Sequence, residues 1–312
     1  AWQQVAVPHD WAISGPFDKK WDLQMVAIEQ NGEKEKTEKS GRSGALPWIG
    51  EGMYKMNLQL PKGYKRAVLV FDGAMSQPVV SVNGKEAGRW AYGYNAFRID
   101  ITPYVKFGGK KNLVEVHLNN VEESSRWYPG GGLYRPVSVE LYGNENFSTW
   151  DTFVRTLKAD KQEAEVEVNA LLEGKIGKSG KTVIALLDEA GTKVSEQTIS
   201  GATPAIKTTL KVANPQLWSP ESPYLYQVKL TRYEGKKVAD VQTLKTGIRT
   251  ISVSKNNGFQ LNGVTRKLKG VCLHHDLGPL GAAENKAALI RQIKTMKEMG
   301  CDAIRTAHNM PS

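Results

Sequence analysis

"CDAIRTAHNMPS", residues 301–312, has the pattern of an apolar strand that ends in polar side chains. "GVTRKLKGVCLHH", residues 263–275, predicts a second strand with two histidines at its end. Between them, "AAENKAALIRQIKTMKEMG", residues 282–300, has apolar residues at helical spacing and a glycine suited to end a helix. Strand, helix and strand form a right-handed βαβ unit. Both polar clusters should therefore lie at the same edge of a parallel sheet, where open α/β sheets and (β/α)₈ barrels place their sites.

The βαβ pattern predicts the start of a barrel rather than a whole one. A (β/α)₈ barrel needs about 250 residues, and only 49 residues run from Val264 to Ser312. An isolated βαβ unit leaves two sheet edges unpaired. We therefore expect residues 264–312 to pack against the preceding domains or another chain, or to be poorly ordered.

The first part of the chain has the pattern of a β-sandwich. From residue 53 to residue 120, short alternating runs are separated by turn residues, which is typical of sandwiches. Asn83-Gly84 predicts a tight hairpin, because these residues readily adopt the positive φ angles of a primed turn. Residues 29–44 are charged and aperiodic, and we predict a mobile insertion there.

A second block, residues 148–251, contains about seven further strand patterns. About 100 residues with this number of strands is the size of an immunoglobulin-like sandwich. The cysteines are Cys272 and Cys301, so the block lacks the cysteine pair of antibody domains. The same two cysteines provide neither a disulfide framework nor a metal-binding spacing. The predicted fold is mainly β: two sandwiches followed by a βαβ unit.

The composition argues against a nucleic-acid or membrane partner. The net charge is +10, but many lysines lie in polar loops among glutamates, and no basic helix or RNA-binding aromatic signature stands out. No apolar run approaches the roughly 18 residues of a membrane span. The sequence begins at Ala1, and its first residues do not have the basic-then-apolar pattern of an export leader. A processed or trimmed N-terminus, including one left by a removed export signal, fits this start.

Several segments resemble, in the same order, the motifs of glycoside hydrolase family 2. They are "VPHDWAISGPF" (7–17), "LPWIGEGMYKMNLQLP" (46–61), "SSRWYPGGGLYRPVSVEL" (124–141), "NPQLWSPESPYLYQVKL" (214–230), "GVCLHHDLGPLGAA" (270–283) and "IRTAHNMPS" (304–312). Within the family, "PHDW", "RWYPGGGLYRPV" and "HHDLGPLGAA" look most like β-galactosidases of the exported bacterial type.

This resemblance implies a domain order and a location. It implies a jelly-roll sugar-binding domain at 1–147, an immunoglobulin-like β-sandwich at 148–251, and the truncated start of a TIM-barrel catalytic domain at 252–312. It also implies a periplasmic or secreted protein. The full-length protein would be a retaining exo-β-galactosidase that releases terminal β-D-galactosyl residues without a cofactor.

The resemblance implies that the chain lacks the catalytic carboxylates. Most retaining glycosidases use two carboxyl groups about 5–5.5 Å apart. In this family both are glutamates on later barrel strands, beyond residue 312, so we expect the chain alone to be inactive. The carboxylates near family motifs that could form a pair within the chain are Asp10, Glu51, Glu122, Glu123 and Asp276.

The resemblance also implies sugar-positioning residues at the two strand ends. His274 matches a histidine of the galactose subsite, and a neutral imidazole can donate and accept hydrogen bonds with sugar hydroxyls. Arg305 and His308 match the family's Arg-x-x-His motif. Arg305 would hold a downstream catalytic glutamate ionised, and His308 would contact the sugar or a carboxylate. Asn309 stands where the family often has tyrosine, so no role is carried over to it. The alternative for each is a packed, paired or solvated side chain.

The glycine-rich motif and the N-terminal motif supply three further candidates. In the family, the loop that contains Arg126 and Trp127 leans over the barrel mouth. Arg126 would donate to hydroxyls or a carboxylate, and Trp127 would present an aromatic face. The alternative is that Trp127 and Tyr128 pack between domains. Asp10 either reaches the site or stabilises a turn.

We predict no metal site at the strand ends. His274, His275, Asp276 and His308 lie at one edge, but adjacent histidines on a strand point in opposite directions, which spoils a tetrahedral site. The resemblance implies that the ligand is a carbohydrate, with self-association left open. Two alternatives are a stand-alone carbohydrate-binding or interaction module, and a β-glucuronidase or β-mannosidase of the same family.

Overall fold

The computed structural model describes residues 2–15, 18, 25–27, 36–38, 49–121 and 127–312. The chain is mainly β, as predicted, and divides into two compact units. One unit comprises residues 1–141 with 269–312, and the other comprises residues 142–268. Of the predicted insertion at 29–44, the structure describes only Lys36–Glu38, a short strand.

The first unit contains a β-sandwich. Its strands are β1 (Met25–Ala27), β2 (Lys36–Glu38), β3 (Gly50–Gln59), β4 (Arg66–Phe71), β5 (Val79–Val82), β6 (Lys85–Arg89), β7 (Phe97–Asp100), β8 (Lys111–Asn120) and β9 (Val137–Tyr142). One sheet has the order β3-β8-β5-β6 and the other has the order β7-β4-β9, while β1 pairs with β2. Alternate residues of β8 are buried, and Val114, Val116 and Leu118 enter the shared core.

The predicted Asn-Gly hairpin is confirmed. Asn83 and Gly84 have φ angles of 52° and 79° and connect the antiparallel strands β5 and β6. The Asn83 side chain also accepts a hydrogen bond from the Leu113 backbone N–H at 3.0 Å. The turn therefore sets the register of the hairpin and ties it to β8.

The second unit contains two further sheets around one core. Its strands are β10 (Glu145–Phe147), β11 (Phe153–Ala159), β12 (Glu163–Gly174), β13 (Lys181–Leu187), β14 (Lys193–Ser200), β15 (Ala205–Ala213), β16 (Tyr226–Glu234), β17 (Lys237–Thr246), β18 (Ile251–Ser254), β19 (Gly258–Leu261) and β20 (Val264–Thr265). In the first sheet β12 pairs with β10, β11 and β15; the second has the order β14-β13-β16-β17. Val166, Val168, Ile184, Leu186 and Leu230 are buried between them. Strands β18, β19 and β20 form a separate antiparallel sheet.

The predicted βαβ unit is present in the first unit of the chain. It consists of β21 (Gly270–Cys272), α1 (Lys286–Glu298) and β22 (Ala303–Arg305), and the two strands pair in parallel. The Asn285 side chain caps α1 by accepting from the Ala288 N–H at 3.1 Å. No helix in the described residues is both long and apolar enough to cross a membrane.

The prediction of one strand over 263–275 was wrong. Asn262 and Gly263 have φ angles of 51° and 77°, so they form a second Asn-Gly turn, which returns β20 antiparallel onto β19. The ladder of β20 ends at Thr265, and β21 begins only at Gly270. Residues 263–275 therefore supply strands to two different sheets.

A buried ion pair connects two strands and two turns of the second unit. The Arg232 Nε donates to the Glu145 Oε2 at 2.6 Å, and both side chains are buried. The guanidinium also donates to the carbonyl oxygens of Gly177 and Gly201, while the Glu145 Oε1 accepts from the Gly177 N–H at 2.8 Å. The pair thus joins β10 and β16 to the turns between strands.

We predict that Glu145→Gln lowers the free energy of unfolding of residues 142–268 by about 3 kcal/mol or more, because it leaves the buried Arg232 guanidinium without its counter-charge. Urea denaturation followed by native NMR signals from residues 163–213 measures this change. Glu163→Gln is the matched control, since Glu163 pairs with Lys158 on the exposed surface, and its effect should be small. Equal effects of the two substitutions would contradict the prediction.

Candidate functional site

Asp10 joins three segments of the first unit. Its Oδ1 accepts from the backbone N–H groups of Ala12 and Gly131, each at 3.0 Å. Its Oδ2 accepts from the Tyr128 hydroxyl at 2.6 Å and from the Ala282 N–H at 2.9 Å. The side chain is fully buried. These contacts give Asp10 a positioning role, and its direct contact with a ligand stays a prediction.

Tyr128 is held in its neutral, hydrogen-donating form. Burial raises the pKa of its hydroxyl well above the usual range, and the Asp10 carboxylate raises it further. The neutral phenol donates its hydroxyl proton to the Asp10 carboxylate.

The three glycines of the "GGG" motif permit close approach as well as a turn. Gly130 has a φ angle of 72°, and a Cβ there would overlap the Ala282 Cβ. Gly132 has a φ angle of 110°, and a Cβ there would lie 2.8 Å from the His9 carbonyl oxygen. Glycine is required at both positions, since a side chain would be strained by the backbone angle and by its neighbours.

Three of the predicted site residues come together at the carboxyl ends of β21 and β22. The rings of Trp127 and His308 are stacked, with centroids 4.8 Å apart and an interplanar angle of 26°. The His274 ring lies edge-on to both, at 5.6 Å from Trp127 and 5.4 Å from His308. The Trp127 Nε1 donates to the Tyr94 hydroxyl at 3.0 Å, which fixes the indole. Both imidazoles are exposed, so the cluster presents polar ring edges to solvent.

His275 is half-buried, with its ring edge-on to the Tyr94 ring, and has two polar partners. Its Nε2 lies 3.1 Å from the Pro129 carbonyl oxygen, and its Nδ1 lies 2.8 Å from the Asn309 Nδ2. A neutral imidazole with its proton on Nε2 satisfies both contacts. Burial lowers the pKa of His275 from its usual 6.5, which favours this neutral form.

The remaining candidates do not join the ring cluster through a described contact. The exposed Arg305 lies opposite Cys272 across the parallel pair, with its Nη1 3.8 Å from the Cys272 Sγ. Arg126, Glu122 and Glu123 lie outside the described residues. Among the residues that are described, no three His, Cys, Asp or Glu side chains lie where they could share a metal ion.

A cavity of about 310 Å³ adjoins the strand ends within the first unit. Much of its lining is apolar, including Leu273, Leu277 and Ile304. Two buried acceptors in this lining, Asn309 Oδ1 and Glu284 Oε2, have no hydrogen-bond partner among the described residues.

Sequence reasoning missed Arg135, although it lies in the "LYRPV" part of a recognised motif. Arg135 is buried and donates to the backbone carbonyl oxygens of Asp72, Tyr94 and Met310. The available signal was the arginine beside Tyr134 and Pro136 in an otherwise apolar stretch, but its acceptors are backbone groups that no sequence motif identifies.

Comparison with known proteins relates the chain to one family of glycosidases. Residues 148–249 match the sequence profile of the family described as "Glycosyl hydrolases family 2". The chain carries a glycosyl hydrolase family 2 domain. It is 36% identical to "Beta-galactosidase BoGH2A" of Bacteroides ovatus, over 100% of this chain and 36% of that relative. It is 35% identical to "Putative beta-glucuronidase" of Formosa agariphila, over 99% of this chain and 28% of that relative.

A solved family 2 structure has the same fold. The crystal structure of a glycosyl hydrolase family 2 member from Bacteroides cellulosilyticus matches with a TM-score of 0.88 at 35% identity. The match covers 100% of this chain and 40% of that chain. The chain therefore spans 28% to 40% of the lengths of these three proteins.

We predict that Asp10→Asn destabilises the first unit by about 1–3 kcal/mol. Both carboxylate oxygens of Asp10 accept hydrogen bonds, and the amide nitrogen of Asn would instead place a donor against these backbone or hydroxyl donors. Urea denaturation followed by NMR signals from residues 49–121 and 286–298 measures the loss. Asp100→Asn is the control, since Asp100 also accepts from the N–H two residues ahead but is exposed. A control as damaging as Asp10→Asn would show that the contacts of Asp10 beyond its own turn contribute nothing.

We predict that His275 makes the first unit less stable as the pH falls below 6.5. The unfolded chain then binds a proton that the folded chain resists, so the free energy of unfolding falls by at most roughly 1.4 kcal/mol per pH unit until the lowered pKa is reached. His275→Gln should lower stability at pH 7.5 and have a shallower dependence between pH 7.5 and 5.5. Urea midpoints at the two pH values test this, and His117→Gln, at a partly exposed β8 position, should keep the wild-type dependence. An unchanged slope in His275→Gln would refute the prediction.

Proposed function

We propose that the chain is the N-terminal part of a periplasmic or secreted retaining exo-β-galactosidase and that it forms one wall of the galactose site. In this proposal residues 1–147 are a jelly-roll domain, residues 148–251 an immunoglobulin-like domain, and residues 252–312 the start of a TIM barrel. The observation that carries the proposal is the convergence of Trp127, His274 and His308 at the carboxyl ends of two parallel strands.

The ring cluster has the chemistry that a sugar requires. A pyranose has an apolar face of C–H groups and a rim of hydroxyls. An indole fixed by a hydrogen bond can pack against the former, and each neutral imidazole offers one donor and one acceptor to the latter. The stack of Trp127 on His308 restricts both side chains, which reduces the side-chain entropy lost when a sugar binds.

Bond cleavage is assigned to residues outside this chain. The acid/base and nucleophile glutamates would lie on later barrel strands, about 5–5.5 Å apart on either side of the glycosidic bond. Arg305, at the carboxyl end of β22, would favour the ionised form of one of them. The chain itself binds and orients the sugar.

A β-glucuronidase is the second candidate. One relative is named a putative β-glucuronidase, and the exposed Arg305 at the carboxyl end of β22 offers a cation that could pair with the C6 carboxylate of a glucuronide. Galactose is preferred because the relative that the chain matches over its full length at 36% identity is named a β-galactosidase.

We predict that the 312-residue chain hydrolyses neither 4-nitrophenyl β-D-galactoside nor the corresponding β-D-glucuronide. The protein encoded by the complete parent reading frame should hydrolyse the galactoside. In that longer protein, His308→Gln and Trp127→Ala should each lower kcat/KM by roughly 10- to 1000-fold, about 1.4–4 kcal/mol, because each removes a contact with the bound sugar. Trp90→Ala is the matched control, since Trp90 is an exposed aromatic that stacks on Phe97; its kcat/KM should stay near wild type.

Other outcomes would overturn parts of the proposal. Preference of the longer protein for the glucuronide would replace the substrate. Saturable hydrolysis by the 312-residue chain would refute the assignment of catalysis to a later segment. Millimolar or tighter binding of galactosyl oligosaccharides by the chain alone, measured by calorimetry, would favour a stand-alone binding module.

A further inference from the structure

Arg135 lies where the sandwich meets the segment that carries His308. Its Nη1 donates to the carbonyl oxygens of Asp72 at 3.1 Å and Tyr94 at 2.6 Å, and its Nη2 donates to the carbonyl oxygen of Met310 at 2.6 Å. Only 3% of the residue is exposed. One guanidinium therefore links two sandwich loops to the backbone two residues beyond His308.

The segment after β22 needs such a restraint. It makes a tight turn in which the Asn309 N–H donates to the Thr306 carbonyl oxygen at 3.2 Å. Ala307 within the turn has a φ angle of 51°, which disfavours a residue with a Cβ by about 1–2 kcal/mol. Contacts from outside the segment must therefore hold this conformation. The structure provides them at Asn309, through His275, and at Met310, through Arg135.

We propose that Arg135 is a positioning residue that sets the His308 ring against Trp127. Arg135 also restrains Trp127, the other ring of the stacked pair. It donates to the Tyr94 carbonyl oxygen, and the Tyr94 hydroxyl in turn accepts from the Trp127 Nε1. Arg135 thus acts on both partners of the stack through the residues that hold them. The consequence for sugar binding rests on the function proposed above; the consequence for the geometry does not.

The chemistry at this position favours arginine over lysine. A planar guanidinium directs its donors in fixed directions and can reach three carbonyl oxygens at once, whereas an ammonium group is a single centre. All three acceptors are uncharged backbone carbonyl groups. They fix the orientation of the buried guanidinium but do not neutralise its charge. We therefore expect Arg135→Lys to retain only part of the restraint.

Proton NMR on the 312-residue chain, without any sugar, tests the proposal. In the wild type we expect nuclear Overhauser contacts between the His308 and Trp127 rings, assigned by their absence in His308→Gln. In Arg135→Met we expect these contacts to be lost while amide signals of β3 and β8 stay native. Arg66→Met removes an arginine of the same sandwich that pairs with Asp100, and it should keep the contacts.

Each result decides the matter. A folded Arg135→Met variant with wild-type ring contacts overturns the proposal, as does loss of the contacts in Arg66→Met. If Arg135→Met does not fold, Arg135→Lys decides: weakened contacts in a folded chain support the role, and wild-type contacts refute it.

Kinetics of the longer parent protein supply a separate measurement. If Arg135 acts through His308, Arg135→Lys should lower kcat/KM about 10-fold or more in the wild type. It should have little further effect in the His308→Gln background, because coupled residues are not additive. Full additivity would refute action through His308. If neither Arg135→Lys nor His308→Gln lowers galactosidase activity, that result would count against the proposed function. It would not affect the conclusion from NMR.

Discussion

The arrangement of the first unit depends on one buried carboxylate. Asp10 accepts four hydrogen bonds from donors that lie at its own turn, in the "GGG" loop and in the loop before α1. Each of these donors would be costly to bury unpaired. A single acidic group can satisfy them together because an ionised carboxylate has about four acceptor positions and no donor. The path of the loop that carries Trp127, and the entry into α1, follow from this one side chain.

The βαβ segment obtains its order from the same sandwich. Its two strands form a parallel pair of only three residues each, and so short a pair cannot be stable by itself. Three further contacts hold it: Glu284 N–H to the Tyr134 carbonyl oxygen, His275 to the Pro129 carbonyl oxygen, and Arg135 to Met310. All come from residues 129–135. The segment 127–135 therefore both supplies Trp127 to the cluster and fixes the strand ends that supply the histidines.

Local pattern was enough to predict the βαβ connection and the meeting of His274 and His308. The Asn83-Gly84 turn, the helical spacing of 286–298 and the parallel pairing of β21 with β22 follow from residues close in sequence. The farthest partners of Asp10, Arg135 and His275 do not, because they lie 272, 175 and 146 positions away in the chain. The second Asn-Gly turn, at Asn262, was present in the sequence but was obscured by the apolar run that follows it. The prediction that Trp127 lies near the histidines came from the resemblance to family 2, because sequence periodicity does not predict this contact.

The two buried arginines illustrate different uses of a buried cation. Arg232 has a carboxylate partner in Glu145 as well as backbone acceptors, so its charge is compensated within the second unit. Arg135 is surrounded by carbonyl oxygens from three separate segments. Carbonyl dipoles compensate a buried charge less completely than a carboxylate does, so an apolar side chain would serve a purely stabilising role better. What an apolar side chain cannot do is fix three backbone segments in one relative position. The physical advantage of arginine at residue 135 is therefore geometric, and the geometry that it fixes is that of the Trp127–His308 pair.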